Sequence, residues 1–339
     1  MKRIYRLLTI VALSFAGFNA NAQVDFSSFL EGNEGDYNEL MKRYMEPAFL
    51  GFGYGLNSGW YNTAKPHKLL GFDITPTLTM AFVPTKNQFF TINDADFQSF
   101  NLNPNSPTNQ APTLFGPNLP ADELPLLDYT NNGNTVSLST PTGLGLKEGD
   151  VPFNAVPTGM VQVGVGLFKN TEMKLRVIPT QVFKDNGDKV AEFGMFGIGF
   201  MHDLKQWVPG FKQLPLDVSG FVGWNKINTK FFLDPNNPDQ VAEFNTSGFT
   251  LQGLVSKQLS ILTVFGGVGI ATTKTDFTLK GSYDTEGGTL VNPVNFDFAS
   301  GGPRINLGFR LKLLILTLHA DYAIQKYSTL TLGVGLSVR

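Results

Sequence analysis

Three histidines carry the main capacity for acid–base chemistry in this chain of 339 residues: His67, His202 and His319. His319 and Asp321 fall on the same face of a predicted strand, as two members of a Ser-His-Asp triad could. No G-x-S-x-G motif supplies the serine. The polarity of a strand face explains His319 better, so we expect no catalytic residue and no enzyme activity.

Metal and cofactor motifs are also weak. The chain has no cysteine, which excludes thiolate metal sites, disulfides and a cysteine nucleophile. The oxygen-rich segment 234–240 (DPNNPDQ) lacks the central glycine of an EF-hand loop and is typical of an Asx/Pro turn. The glycines of 266–269 (GGVG) lie in a strand pattern and complete no dinucleotide fingerprint. We therefore expect no metal site and no cofactor.

Charged residues on the polar faces of strands are the best functional candidates. In a barrel such charges set pore selectivity or hold a plug. Because both signs are present, the pattern favours the alternative, in which these charges neutralise one another across the interior. The lumen-lining candidates are Asp73, Lys174, Arg176, Asp217, Arg304, Arg310, Lys312, His319 and Asp321.

The elements that carry these residues alternate between apolar and polar positions. In the last strand, Leu330, Leu332 and Val334 alternate with Thr331 and Gly333. This period of two predicts β-strands with one apolar face. The apolar face packs inward in a soluble sandwich and meets lipid in a membrane barrel. Periodicity alone cannot separate these two folds.

Composition favours the barrel. Charged residues make up 16% of the chain, and the polar strand faces are rich in glycine, threonine and serine rather than lysine and glutamate. A net charge of −2 without a basic run argues against nucleic-acid binding. Aromatic residues near strand ends fit an interfacial girdle: Trp60, Tyr61, Trp224, Tyr322 and Tyr327.

The N-terminus has the pattern of a secretory signal peptide at residues 1–22. Basic residues precede an apolar stretch at 7–18 that is too short to span a bilayer, and Ala20-Asn21-Ala22 fits a cleavage site. We expect export to the outer membrane of a Gram-negative bacterium. The expected partners there are outer-membrane lipids, the barrel assembly machinery and an unidentified small-molecule solute.

Eleven strands are predicted within a barrel domain at 49–339, beginning with 52–60 and 68–83. An even count requires one or three more, so we expect an all-β, transmembrane antiparallel barrel of about 12–14 strands with a short N-terminal helix. Candidates for the missing strands lie at 85–100, 136–146 and 294–300. Residues 85–157 form a long insertion rich in proline and asparagine that could gate the mouth.

Residues 23–48 have a different composition. Residues 35–45 predict a short amphipathic helix, and Pro47 should limit its extension. The segment could plug the lumen or cap the periplasmic end, and the sequence leaves both open. The residues on its candidate plug face are Tyr37, Leu40, Met41 and Tyr44.

Two segments resemble an uncharacterised family of exported Bacteroidota proteins assigned to outer-membrane barrels. They are 59–68 (GWYNTAKPHK) with 71–73 (GFD), and 202–210 (HDLKQWVPG) with 214–217 (LPLD). The chain is more loosely similar to the outer-membrane long-chain fatty acid transporters, which are barrels with an N-terminal hatch. It departs from such barrels in ending Ser337-Val338-Arg339 rather than in an aromatic residue.

These observations predict a passive channel or transporter for a small, possibly hydrophobic, solute. This prediction depends on analogy at the level of the fold. The alternative is a barrel with a structural or surface-binding role and no transport.

Overall fold

The computed structural model describes residues 33–131, 134–146, 154–185, 187–207, 210–234, 236–285 and 288–338. The predicted signal peptide at 1–22 lies outside these residues. Among them, no helix is long and apolar enough to cross a bilayer.

Seventeen strands occur in the described residues, and ten of them close into an antiparallel barrel in the order β1-β17-β16-β15-β12-β11-β10-β9-β8-β7. In chain order the strands are β1 (Phe72–Phe82), β2 (Phe89–Thr91), β3 (Phe100–Leu102), β4 (Gln110–Pro112), β5 (Leu126–Asn131), β6 (Asn134–Ser139), β7 (Ala155–Leu167), β8 (Thr171–Asp185), β9 (Asp188–Asp203), β10 (Asp217–Asp234), β11 (Asn237–Leu259), β12 (Leu262–Lys280), β13 (Ser282–Thr285), β14 (Gly288–Val291), β15 (Val294–Leu313), β16 (Leu316–Ile324) and β17 (Thr329–Val338).

The barrel wall turns its apolar side chains outward. In β1, Phe72 and Ile74 are more than 40% exposed, while Asp73 and Thr75 are buried. The same alternation runs through β16 and β17. A soluble sandwich would bury its apolar faces, so the structure excludes that alternative and confirms the all-β antiparallel barrel.

The predicted count of about 12–14 strands is wrong: the described wall has ten. The predicted strand at 52–60 is instead the end of a helix and the turn after it. Segments 85–100 and 136–146 contribute only to short sheets outside the wall, and 294–300 belongs to β15. Phe52, Tyr54 and Leu56 alternate with glycines, which imitates a strand in the sequence.

The two ends of the barrel differ. At the short-turn end, tight turns join β7 to β8, β11 to β12 and β15 to β16. At the opposite end, which we call the insertion end, residues 83–154 leave β1 and return to β7. This insertion contains two small sheets, β2-β4 and β3-β5-β6.

One helix, α1 (Glu34–Leu56), lies inside the barrel and is about 34 Å long at 1.5 Å per residue. It runs through Pro47 and on to Leu56, so the expected limit near that proline is wrong. The helix is buried on most of its surface, including Tyr44 and Leu56 at 0% exposure. Packing on all sides overrides the local cost of an internal proline.

Candidate functional site

The candidate functional site is the filled lumen. We call residues 33–71 the plug: helix α1 with its cap Asn33, followed by an irregular segment, residues 57–71, that continues to the short-turn end and enters β1. The four residues of the predicted plug face, Tyr37, Leu40, Met41 and Tyr44, are all at most 3% exposed inside the barrel. The hydroxyl of Tyr44 donates to the carbonyl of Thr142 in the insertion, at 3.0 Å.

The helix begins at the insertion end. The side chain of Asn33 accepts a hydrogen bond from the Asp36 amide at 3.0 Å, which caps the first turn. The Asp36 carboxylate in turn accepts from the backbone amides of Gln98 at 2.9 Å and Phe100 at 3.2 Å. This buried carboxylate therefore joins the plug to the insertion.

The lumen on the insertion side is apolar and aromatic. The Phe49 ring lies 5.2–5.6 Å from the rings of three phenylalanines on the wall: Phe244, Phe277 and Phe298. Such ring pairs add to the free energy gained by burying their apolar surface. This half of the lumen resembles the dry core of a soluble protein.

Glycines let the helix approach the wall. A Cβ on Gly53 would lie 1.8 Å from the Thr273 hydroxyl, and one on Gly55 would lie 2.4 Å from that of Thr158. Side chains at these positions would clash. The close approach explains the glycines that imitate a strand pattern in the sequence.

Arg176 binds the end of the helix near the middle of the lumen. Its Nη1 donates to the Leu56 carbonyl and its Nη2 to the Ser58 carbonyl, each at 2.7 Å. Its Nε donates to Gln162 of β7 at 3.2 Å. The guanidinium also lies over the Trp60 ring. A cation at a helix C-terminus is favoured by the helix dipole, so Arg176 couples the plug to β8 at a central point.

Segment 57–71 makes polar contacts with the wall on several sides. The Tyr61 hydroxyl lies 2.7 Å from Asn306 of β15, and the Ala64 carbonyl accepts from Ser219 of β10 at 2.6 Å. The Ser58 hydroxyl is 3.0 Å from that of Thr329 in β17. The interface in this half of the lumen is therefore polar, in contrast to the aromatic half.

A buried charged cluster lies where the plug joins β1. We call His67, Asp73, Glu172 and Lys174 the latch cluster. The Lys174 ammonium forms an ion pair with Glu172 and lies 3.9 Å from Asp73, while His67 Nδ1 lies 3.0 Å from Glu172. As whole residues, all four are at most 5% exposed. The cluster brings together one plug residue and two strands.

Most of the predicted lumen-lining residues lie on the inner wall. Arg304 donates to Ser58 of the plug at 3.0 Å, and Arg310 donates to Ser337 at 3.4 Å. Asp321 accepts from Asn306 at 3.4 Å. Lys312 and Asp217 are half-buried near the short-turn end. The buried members are Asp73, Lys174, Arg176, Arg304, Arg310, His319 and Asp321.

His319 makes no hydrogen bond to Asp321 in the described part of the chain. Neither of its ring nitrogens has a hydrogen-bond partner among the described residues. Its ring lies over the backbone of Gly333, where a Cβ would be 2.1 Å from Cε1. The neighbouring glycine therefore makes room for a histidine packed flat against the wall.

Sequence reasoning missed four residues of the site: Trp60, Tyr61, His67 and Glu172. Trp60, Tyr61 and Tyr327 were expected in an outer girdle, but they are buried in the lumen. Trp224 and Tyr322 do lie on the outer face, at 40% and 45% exposure. The sequence did contain a signal for Trp60, Tyr61 and His67, because all three lie in the motif at 59–68. A connecting loop seldom holds Trp, Tyr and His together.

A groove of about 460 Å³ lies on the outer face of β10, β11, β12 and β15. Trp224, Phe249 and Lys274 line it together with small residues. Two of its lining residues also contact the plug: Thr273 adjoins Gly53, and the Ser300 hydroxyl is 2.9 Å from that of Tyr54. The groove therefore shares wall residues with the surface that helix α1 contacts.

Several solved structures are similar to the chain at low sequence identity. The translocator domain of the autotransporter NalP from Neisseria meningitidis is 11% identical, with 90% of this chain and 98% of that chain covered and a TM-score of 0.29. The Pseudomonas putida toluene transporter TodX is 9% identical, with 93% and 76% covered and a TM-score of 0.24. No curated protein matches the chain.

A family model covers almost the whole chain. It matches residues 1–338, which is consistent with the resemblance of segments 59–68 and 202–210 to an uncharacterised family. The chain therefore belongs to the family of unknown function DUF6588.

Proposed function

We propose that this protein is an outer-membrane barrel that is closed by its own plug and passes a small solute when the plug moves. The outer face supports the membrane location: Leu307, Ile305 and Phe309 are 67%, 55% and 51% exposed. A continuous apolar band on a closed barrel is what a bilayer requires. Outer-membrane lipids would surround this band, after export and insertion by the assembly machinery.

The observation that carries the transport proposal is the polar interface between segment 57–71 and the wall. Buried side-chain atoms on both sides have no hydrogen-bond partner among the described residues. They include Asn57 Oδ1 and Trp60 Nε1 on the plug, and both ring nitrogens of His319 on the wall. The cores of native proteins rarely leave buried polar groups without a hydrogen-bond partner. An interface that takes up water when the plug shifts would satisfy them.

The groove on the outer face favours an apolar solute. It opens on the outer face of the wall beside Trp224 and Phe249 and reaches wall residues that contact helix α1. A solute from the lipid could therefore approach the plug from the side of the barrel, and a movement of the helix would change the floor of the groove.

A second candidate function is structural or surface-binding, without transport. The aromatic packing around Phe49 favours it, because a dry interface is costly to open. The hydrogen bonds between Asp36 and the insertion also anchor the plug at the insertion end of the barrel.

Deletion of residues 33–66 separates the two candidates. Transport predicts that the full chain gives rare or no current steps in a planar bilayer and that the deletion variant gives large, stable steps. Heat-modifiable mobility on gels checks that both forms fold. A folded, inserted deletion variant without conductance would contradict transport and favour the second candidate.

A further inference from the structure

Three donor atoms of the latch cluster face one another inside the wall. His67 Nδ1 lies 3.0 Å from Glu172 Oε2 and 3.7 Å from Asp73 Oδ1. The donor atoms of the three residues all lie within 4.8 Å of one another. His67 belongs to the plug, Asp73 to β1 and Glu172 to β8.

Two of these atoms have ion-pair contacts but no hydrogen bond. His67 Nδ1 and Asp73 Oδ1 have no hydrogen-bond partner among the described residues, although their side chains are only 4% and 7% exposed. The third atom, Glu172 Oε2, accepts from the His67 amide at 2.9 Å. Buried polar atoms of this kind carry a cost unless something binds them.

The second polar atom of each of these three side chains does have a partner. His67 Nε2 is 3.2 Å from the Ser337 hydroxyl, and Asp73 Oδ2 accepts from Thr75 at 2.6 Å. Glu172 Oε1 accepts from the Lys174 ammonium. Metal sites have this arrangement, in which hydrogen bonds to the far atom of each ligand fix the orientation of the near atom.

We propose that His67, Asp73 and Glu172 bind one divalent transition-metal ion of the zinc class. Zn–N and Zn–O bonds of about 2.0–2.1 Å in a tetrahedron place neighbouring ligand atoms about 3.3 Å apart, close to the two distances above. Imidazole with two carboxylates suits zinc better than calcium or magnesium. The Lys174 ammonium pairs with Glu172 Oε1 and lies 3.9 Å from Asp73 Oδ1, so it offsets part of the negative charge of the two carboxylates.

Gly164 supports this assignment. A Cβ at that position would lie 2.3 Å from Asp73 Oδ1 and 2.7 Å from Glu172 Oε1. The glycine thus leaves the two carboxylates room to converge. A bound ion would fasten the end of the plug to β1 and β8, a property that goes beyond the proposed function and does not depend on solute passage.

The test is zinc binding by the full mature chain in detergent after treatment with a chelator. Calorimetric titration should give one Zn²⁺ per chain, and Co²⁺ should give the visible absorption of a tetrahedral site. His67→Ala and Glu172→Gln should each weaken zinc binding at least about tenfold. His202→Ala, which removes a histidine outside the cluster, should leave it unchanged. Heat-modifiable mobility checks the fold of each variant.

Zinc binding by the Lys174→Met variant gives a second, independent test of the metal site. If Lys174 itself takes the place of the metal, the wild-type chain will bind no zinc and the Lys174→Met variant will bind it. That result would overturn the proposal, as would wild-type binding that persists in both His67→Ala and Glu172→Gln. With a metal site, the wild-type chain binds zinc and Lys174→Met binds it no more than about tenfold differently.

Discussion

The guanidinium carbon of Arg176 lies 3.6 Å from the centroid of the Trp60 ring, at the level where helix α1 ends. Arg176, a wall residue, thus stacks on a ring of the plug. It also donates hydrogen bonds to the carbonyls of Leu56 and Ser58 at the C-terminal end of the helix. The apolar half of the plug, towards the insertion end, and its polar half, towards the short-turn end, meet at this contact.

Arg176→Met should loosen the centre of the plug. The substitution leaves two buried carbonyls without donors and removes the cation–π contact, at a cost of about 2–4 kcal/mol. We expect the plug to become exposed at a lower urea concentration than in the wild-type chain. We also expect current steps in planar bilayers to become more frequent. Lys184→Met, at an exposed position in the β8–β9 hairpin, is the matched control. Equal midpoints for the two variants would contradict the central role of Arg176.

Gly53→Val should push helix α1 away from the wall. Its new side chain would overlap Thr273, and such overpacking costs about 1–3 kcal/mol. Thermal unfolding, monitored by circular dichroism, should show this loss of stability as a lower midpoint temperature. Adding Thr273→Gly should restore part of it, because the clashing atoms are removed. Gly302→Ala has nothing within 4 Å of its new methyl group and should change the free energy of unfolding little.

Leu307→Lys should destabilise the barrel in a bilayer. Leu307 lies within the outer band of β15, and a lysine near the bilayer midplane costs about 2–4 kcal/mol. The control is Leu314→Lys, in a tight turn at 92% exposure, with an expected cost of at most about 1 kcal/mol. Urea unfolding in lipid vesicles measures both. Similar costs at the two positions would mean that the band does not face lipid.

Asp36→Ala should release the insertion from the plug. Several backbone amides around Ser99 lose their charged acceptor, and each such hydrogen bond contributes about 1.5–3 kcal/mol. We expect cleavage within the insertion by an added protease to become about tenfold faster or more. Asp122→Ala, at an exposed position of the same insertion, serves as the control. Unchanged cleavage in Asp36→Ala would show that other contacts hold the insertion.

The barrel wall could be predicted from the sequence because each strand has one lipid-like and one polar face. Ten of the eleven predicted strands correspond to wall strands, with ends shifted by several residues. The eleventh, 52–60, failed because the end of helix α1, residues 49–56, is buried all round and so lacks the one-sided apolar stripe that marks a surface helix. Regular alternation of Phe52, Tyr54 and Leu56 with glycines then resembled a strand.

The candidate site was harder to predict. Parity placed Lys174 and Arg176 on the polar face of β8, but it says nothing about what fills the lumen. The path of segment 57–71 through the barrel depends on contacts between residues far apart in the chain, such as His67 with Glu172. A single sequence carries no direct signal for such contacts.

The most direct test of the central claim is a disulfide that locks the plug to the wall. The chain has no cysteine, so Ser58→Cys with Thr329→Cys supplies its only thiols, at positions whose hydroxyls are 3.0 Å apart. Thr246→Cys with Thr275→Cys links two wall strands and is the control. In planar bilayers with moderate urea, the reduced plug-lock variant should give current steps that oxidation abolishes, while the control conducts in both states. Equal conductance of the oxidised and reduced plug-lock variant would contradict a movable plug.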